Sequence, residues 1–275
     1  MSISIQTNVS SILAQENLRV NNEFSNRTIS RLTSGYRINS SGDDAAGLGI
    51  ANVYRSDIAE LQQGIRNGND GISTLQIIDG GLNNISKILD RLKTLATQSA
   101  SETFTGDRAT LNAEYTTLLT EINRQAANIG LNSGGSNNAD IDVYIGGGST
   151  QANAQVTIAL SGATNQVDAA GLGVAGGSVA TAAGALTALT AIDTAVGDLG
   201  LVQGTVGTGQ NLLQYATQLA QAQVASFSAA ESRIRDADVA AEAANLTKSQ
   251  VLQQSSLAAM AQANVAPQSV LSLLR

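Results

Sequence analysis

The chain has 275 residues, 43% of them apolar, with a formal charge of −7, no Cys and no His. That combination excludes disulfides, thiolate metal sites and thiol catalysis, removes the commonest general base, and lacks the basic footprint that nucleic acid requires. Aromatics make up 3% and Trp is absent, so the apolar residues, mostly Ala, Leu, Ile and Val, suit thin helix seams and not a deep ligand pocket.

The first residues, MSISIQTNVSSILAQENL, have no basic leader and no long apolar run, so they do not read as a secretory signal peptide. No stretch reaches the ~18 consecutive apolar residues of a membrane span. An apolar stripe at helical spacing starts here: Ile5, Val9, Ile12, Leu13, Val20, Phe24 and Leu32. It stops at Thr33-Ser34-Gly35. Asn39-Ser40-Ser41-Gly42-Asp43-Asp44 then punctuates the chain; Ser41 with Asp44 reads as a capping box, and both Asp favour the positive end of the next helix.

The next stripe runs Ile58, Leu61, Ile65, Ile72, Leu75, Ile78, Leu82, Ile85, Leu89, Leu92, Leu95. Nearly every step is three or four residues, which predicts a coiled-coil-like helix. Gly64, Gly68, Gly71, Gly80 and Gly81 interrupt it, each at about 1 kcal/mol relative to Ala. Ser101 to Gly106 has turn chemistry, and Leu111, Tyr115, Leu118, Ile122, Ala126 and Ile129 predict the second arm of an αα-hairpin.

Asn132 to Val179 is rich in Gly, Ser, Asn and Ala. Two alternating runs, Ile141–Ile145 and Gln155–Leu160, flank Gly146-Gly147-Gly148-Ser149 and predict a small β-hairpin insert. Helical period returns at Leu186, Leu189, Ile192, Val196, Leu199, Val202, Val206, Leu213 and Leu219. It returns once more at Val239, Ala243, Leu246, Leu252, Leu257 and Met260. The single Pro, Pro267, fits a helix nearing its end.

The predicted fold is mainly α: long antiparallel coiled-coil-like helices from both chain ends, with a small central β-hairpin insert. Two charged breaks, one carrying Arg37, Asp43 and Asp44, the other Arg233, Arg235, Asp236 and Asp238, each lie about forty residues from their own terminus. Antiparallel pairing of two terminal helices some 60 Å long brings these breaks together. It divides the chain into an inner domain, residues 1–42 with 235–275, and an outer domain, residues 43–234, holding the insert at about 132–179. Two such helices cannot bury all their apolar residues on each other. The surplus predicts packing against further copies, and a repeated contact that does not close produces a helical filament.

Asp43-Asp44 is read as helix capping with pairing to Arg233 or Arg235, not as a metal or acid/base pair. The Gly146 to Thr150 run lacks the Lys and following helix of a phosphate loop and reads as a turn. Asn8-Val9-Ser10, Asn84-Ile85-Ser86 and Asn245-Leu246-Thr247 match glycosylation sequons but lie on predicted helices, and are read as unmodified. No set of nucleophile, base and orienter is visible, so the chain is read as a non-enzyme with no cofactor.

Arg31-Leu32-Thr33-Ser34-Gly35-Tyr36-Arg37-Ile38-Asn39, Asp43-Asp44-Ala45-Ala46-Gly47-Leu48 and Arg66-Asn67-Gly68-Asn69-Asp70-Gly71 closely resemble bacterial flagellin. So do Ser232-Arg233-Ile234-Arg235-Asp236-Ala237-Asp238, Asn245-Leu246-Thr247-Lys248, Ala261-Gln262-Ala263-Asn264 and Pro267-Gln268-Ser269-Val270-Leu271. The resemblance covers roughly residues 1–131 and 185–275. It implies a secreted subunit that polymerises into the extracellular filament of the bacterial flagellum for motility, exported unfolded by the flagellar type III apparatus. The partners it implies are further copies of the chain, an export chaperone, a filament cap protein and hook-filament junction proteins, with neither nucleic acid nor membrane insertion. It also implies that Arg91, Leu95 and Glu114 match the family's innate-immune receptor surface, although Asp90 replaces the Gln common there. A minimal form lacking the large outer domains is expected, because only Asn132 to Val179 stands in their place. Two rival readings are a hook-filament junction protein, which shares terminal helices, and an intracellular helical adaptor rod.

Overall fold

A computed structural model describes the backbone of residues 7–147 and 151–273, and the side chains of these except 151, 152, 163 and 266–273. Helix α1 (Val9–Ser34) begins at Asn8, whose side chain accepts from Ser11 N at 3.2 Å. It ends at Gly35, where φ is 73° and the N–H donates to the Arg31 carbonyl. That left-handed position is strained for any residue with a Cβ, which is why the stripe stops there. Helix α2 (Ala45–Ala100) opens where Asp44 Oδ1 accepts from Gly47 N at 2.9 Å. Helix α3 (Arg108–Asn128) opens on Asp107, which accepts from Ala109 N at 2.9 Å.

Strand β1 (Ile141–Tyr144) and strand β2 (Gln155–Ile158), the latter preceded by the single turn α4 (Gln151–Ala154), pair antiparallel with Ile141 opposite Ile158 and Tyr144 opposite Gln155. Helix α5 (Ala182–Arg235) and helix α6 (Val239–Leu273) complete the chain. The mainly α order with one small hairpin is the predicted one. Pro267 lies inside α6, within its last two turns.

The chain packs as two compact units, Met1–Ser56 with Ser226–Arg275 and Asp57–Ala225. These divisions fall within α2 and α5 and not at the charged breaks. Residues 43–56 and 226–234 go with the terminal helices, where the Tyr54 and Phe227 rings stack at 5.5 Å.

In the second unit, Leu61, Leu75, Ile78, Leu82, Ile85, Leu89, Leu92 and Leu95 of α2 are buried. Tyr115, Leu119, Ile122 and Ala126 of α3 and a row on α5 are buried as well. α2 and α5 run antiparallel: Lys93 pairs with Asp193, Gln203 reaches Asn83, and Gly209 lies against Leu75. The α5 row differs from the predicted one. Ala185, Ala188, Ala195 and Gly209 alternate with Ile192, Leu199, Val202, Val206 and Leu213, while Leu186, Val196 and Leu219 are exposed. Small residues let the backbones approach closely, which moves the seam one position round the helix from the bulkiest side chains. The helix is also long and apolar enough to cross a membrane by length and composition, with a mean hydropathy of 1.4 over its most apolar 18 residues. The sequence reading, which sought an unbroken apolar run, misses this because Gly and Thr dilute it.

β2 ends at Ile158, two residues short of the predicted run, and residues 159–181 hold no strand, yet Leu160, Val167, Ala169, Leu172, Val174 and Val179 are buried. Three polar side chains clamp this segment in place of a sheet. Asn123 Oδ1 accepts from Ala169 N, Asn112 Oδ1 from Val179 N, and buried Ser99 Oγ donates to the Val179 carbonyl at 2.6 Å. The glycines of α2 are not merely destabilising either. A Cβ at Gly64 would overlap the Ile145 carbonyl, and Gly68 and Gly81 lie under Thr217 and Ile129, so these positions let the hairpin and neighbouring helices seat. Gly80 alone of this set faces open space.

The two kinds of glycine should therefore respond oppositely. Gly64→Ala is expected to lower stability by about 1–3 kcal/mol through overpacking, and Gly80→Ala to raise it by up to about 1 kcal/mol through helix propensity. Denaturant unfolding of the two variants checks this, and equal shifts would refute the close-approach account.

Candidate self-assembly surface

α1 and α6 pair along their length. Asn8 Nδ2 donates to the Ala263 carbonyl at 2.8 Å, Asn21 Nδ2 to Ser256 Oγ at 3.0 Å, and Gln253 Nε2 to Asn22 Oδ1 at 2.6 Å. Nearer the breaks, Arg31 Nη1 bonds Glu242 Oε1 at 3.3 Å. As one residue number rises the other falls, so the pairing is antiparallel.

The residues that face the partner helix are mostly small or polar, with Leu18 and Met260 among them. Ala14, Thr28, Glu242 and Ser249 are buried, and Leu18, Asn21, Ser25, Gln253, Ser256 and Met260 are half-buried beside them. The large apolar residues point elsewhere: Val9, Ile12 and Leu13 are 66%, 57% and 65% exposed, and Val20, Val251, Leu252 and Leu257 are exposed as well. Phe24, Leu32, Leu246 and Met260 are half-buried, and Ile5 lies outside the described residues.

The sequence reading allots at least half of each stripe to the intramolecular seam. The seam instead uses a different, largely polar face. Its signal was present as Ala14, Leu18, Asn21, Ser25 and Thr28, and as Ser249, Gln253, Ser256, Met260 and Ala263, each at helical spacing. A search for apolar residues passes over such a row.

The two charged breaks do meet, through backbone. Tyr36 and Asp236 form an antiparallel bridge, Ala237 N donates to the Gly35 carbonyl at 2.9 Å, and Arg37 N to the Arg235 carbonyl at 2.6 Å. The Arg37 guanidinium donates to the Ile234 carbonyl, and that of Arg235 lies 4.2 Å from the Tyr36 ring centre. The expected pairing of Asp43 or Asp44 with Arg233 or Arg235 is absent. Asp43 instead accepts from Asn39 N, Ser40 N and Ser40 Oγ, Asp44 caps α2, and Arg233 is exposed. Local backbone N–H groups take these carboxylates because they are already in reach. Asp238 caps α6 through Ala240 N and Ala241 N, and Asp236 accepts from Ser232 Oγ at 2.6 Å. One oxygen of buried Glu242, Oε2, has no partner among the described residues.

On the second unit, Arg91 grips Glu114 Oε1 through Nε and Nη2 at 2.8 and 2.6 Å, with both side chains exposed. Leu95 is 1% exposed and belongs to the α2 seam, so it is not part of that surface.

Residues 5–133 match the family described as bacterial flagellin N-terminal helical region, and residues 189–274 the one described as bacterial flagellin C-terminal helical region. The chain belongs to the bacterial flagellin family. This flagellin is 35% identical to a flagellin of Halalkalibacterium halodurans, over 98% of this chain and 99% of that one. It is 33% identical to flagellin FlaB1 of Treponema pallidum and to a flagellin of Listeria innocua, over 98% and 99% of this chain and 99% of each relative. Among solved structures, Bacillus cereus flagellin aligns over 56% of this chain and 88% of its own, at 28% identity and a TM-score of 0.47. Flagellins are structural proteins that polymerise into the flagellar filament, so the surfaces that carry function in this flagellin are those it offers to further copies of itself.

The break is expected to loosen in acid. Hydrogen bonds from Ser40 N and the Ser40 hydroxyl, then Asn39 N, hold the Asp43 carboxyl below its ordinary value. A depressed folded-state value means the contribution is complete above the unfolded value near ~3.9 and is lost as pH falls through the lower folded one. The protection of the Asn39 and Ser40 amides, measured against the intrinsic exchange rate at each pH, should therefore fall below about pH 4, and Asp43→Asn should abolish that pH step. Unchanged protection in acid would contradict it.

Proposed function

We propose that the outward apolar faces of α1 and α6 are the polymerisation surface of this flagellin. Val9, Ile12, Leu13, Val20, Phe24 and Leu32 would act from α1, and Leu246, Leu252 and Leu257 from α6; the sequence reading also names Met260, which lies in the seam, and Ile5, which is outside the described residues. The observation that carries the reading is the inverted pair: the helices spend their small and polar residues on each other and leave Val9, Ile12, Leu13, Val20 and Leu257 exposed. Each such side chain gains about 1.5–3 kcal/mol when fully covered. A neighbouring copy is the partner the family requires, so order in the terminal helices and assembly are linked by mass action.

In this reading residues 1–42 with 235–275 form the filament core and residues 43–234 the shell, of which 43–56 and 226–234 pack with the terminal helices. The chain leaves the cell unfolded through the type III apparatus, held by an export chaperone, and is added under a filament cap onto hook-filament junction proteins. Arg91 and Glu114 are the remaining candidates for an immune-receptor contact.

Deleting residues 1–32 or 246–275 should abolish filaments in electron micrographs while circular dichroism still reports a helical middle unit. Leu13→Glu, which adds a charge without shortening the helix, should raise the concentration needed for assembly at least tenfold. Normal filaments from either truncation would sink the proposal.

A further inference from the structure

One face of α3 is covered by chain that is neither helix nor strand. Asn112, Tyr115, Leu119 and Asn123 recur at three and four residues and so form a single stripe about 16 Å long. Residues 166–181, which hold no helix or strand, lie along this stripe in the opposite direction. Asn123 Oδ1 accepts from Ala169 N at 2.8 Å. A Cβ at Gly177 would overlap the Tyr115 hydroxyl. Asn112 Oδ1 accepts from Val179 N at 2.9 Å and from Ser178 Oγ at 3.0 Å.

The polar fastening lies at the two ends. Val167 N reaches the Leu131 carbonyl and Ala169 N the Asn123 side chain at one end, and Val179 is held by Asn112 and Ser99 at the other. Among the described residues, the hydrogen bonds between these ends stay inside the segment: Gly171 N donates to Asp168 Oδ1, Val174 N to the Ala169 carbonyl and Gly177 N to the Val174 carbonyl. Gly171, Gly173, Gly176 and Gly177 gain more conformational freedom on release than other residues would. Against that, Leu172 and Val174 are buried and resist it. Beneath the segment lies a mismatch. Tyr115 is 0% exposed, and its hydroxyl has no partner among the described residues. A buried hydroxyl left unpaired favours any state in which water reaches it.

We propose that residues 166–181 are a releasable strap that lifts off α3 as one cooperative unit while α2, α3 and α5 stay folded, and that the unpaired Tyr115 hydroxyl sets how often it lifts. Opening hydrates the phenol and exposes Val167, Leu172, Val174 and Val179. The long helices keep their own buried row, including Leu82, Leu89, Ile192 and Val206, so release gives up only the contacts of the strap. The device belongs to the single chain and does not depend on the surfaces that join copies.

Native-state hydrogen exchange on the full-length monomer tests this. The Val167, Ala169, Val174 and Val179 amides should share one protection factor, about a hundredfold or more below those of Leu82 in α2 and Ile122 in α3. Asn123→Ala should lower protection about tenfold at Val179 as well as at Ala169, and Asn112→Ala should do the same at Ala169. Tyr115→Phe, which keeps the ring and removes the hydroxyl, should raise all four about tenfold. A loss confined to the amide beside each substitution shows separate contacts and overturns the single unit. Strap amides as protected as the helices overturn release. Unchanged or lower protection in Tyr115→Phe overturns the role of the hydroxyl. The chain has no cysteine, so Val167→Cys and Val174→Cys provide a readout that needs no clamp variant. Their maleimide labelling should be equally slow, limited by one opening, and slow by a further tenfold or so when Tyr115→Phe is added. Unequal rates, or rates that Tyr115→Phe leaves unchanged, overturn the proposal.

Discussion

The polar seam between α1 and α6 is the contact on which the rest of this molecule's behaviour depends. A conventional pair of amphipathic helices would have turned Val9, Ile12, Leu13 and Leu257 toward each other and ended as a self-sufficient hairpin. Here Asn21, Asn22, Gln253 and Ser256 meet instead, over buried Ala14, Thr28 and Ser249. Neutral hydrogen bonds of this kind contribute only about 0.5–1.5 kcal/mol each, but they are directional and fix which faces meet. The pairing thus specifies geometry more than it supplies stability, and it leaves Val9, Ile12, Leu13 and Leu257 exposed.

The breaks extend the same logic. Backbone bonds from Ala237 to Gly35 and from Arg37 to Arg235 tie the ends of α1 and α5 without using any acidic side chain. The carboxylates are thereby left for capping: Asp44 at α2 and Asp238 at α6. α2 and α6, the two helices that start at the break, thus each begin with first-turn N–H groups bonded to a carboxylate.

The order of elements, the hairpin strands and the αα-turn were legible in the sequence, because period 3.6, period 2 and Gly or Asp punctuation are local signals. The buried face of α2 was legible for the same reason: Leu75, Ile78, Leu82, Ile85 and Leu89 are both periodic and large. Three things were not. The seam of α5 uses Ala185, Ala188 and Ala195, whose smallness carries no hydropathy contrast with the Leu residues beside them. The α1–α6 seam is polar, so a search for apolar rows finds the opposite face. The packed segment after β2 has no period, and its clamps, Ser99, Asn112 and Asn123, lie far away in sequence on α2 and α3. Likewise Arg91 and Glu114 meet as a pair on the surface, whereas Leu95 is buried with the α2 stripe to which its spacing assigns it.

Those clamps have a consequence for how such a chain can change. Asn123 and Asn112 hold the segment near Ala169 and near Val179, and Ser99 holds its far end, while Ser161 to Asn165 stands between the strand and the first clamp as a short arc in which Ser161, Gly162 and Thr164 are exposed. An arc fixed at both sides and free in the middle can grow without moving the helices beneath it, because closing a longer loop costs only about 0.6 kcal/mol per doubling of its length. Length and chemistry can therefore vary in this short arc independently of the helices that carry the packing.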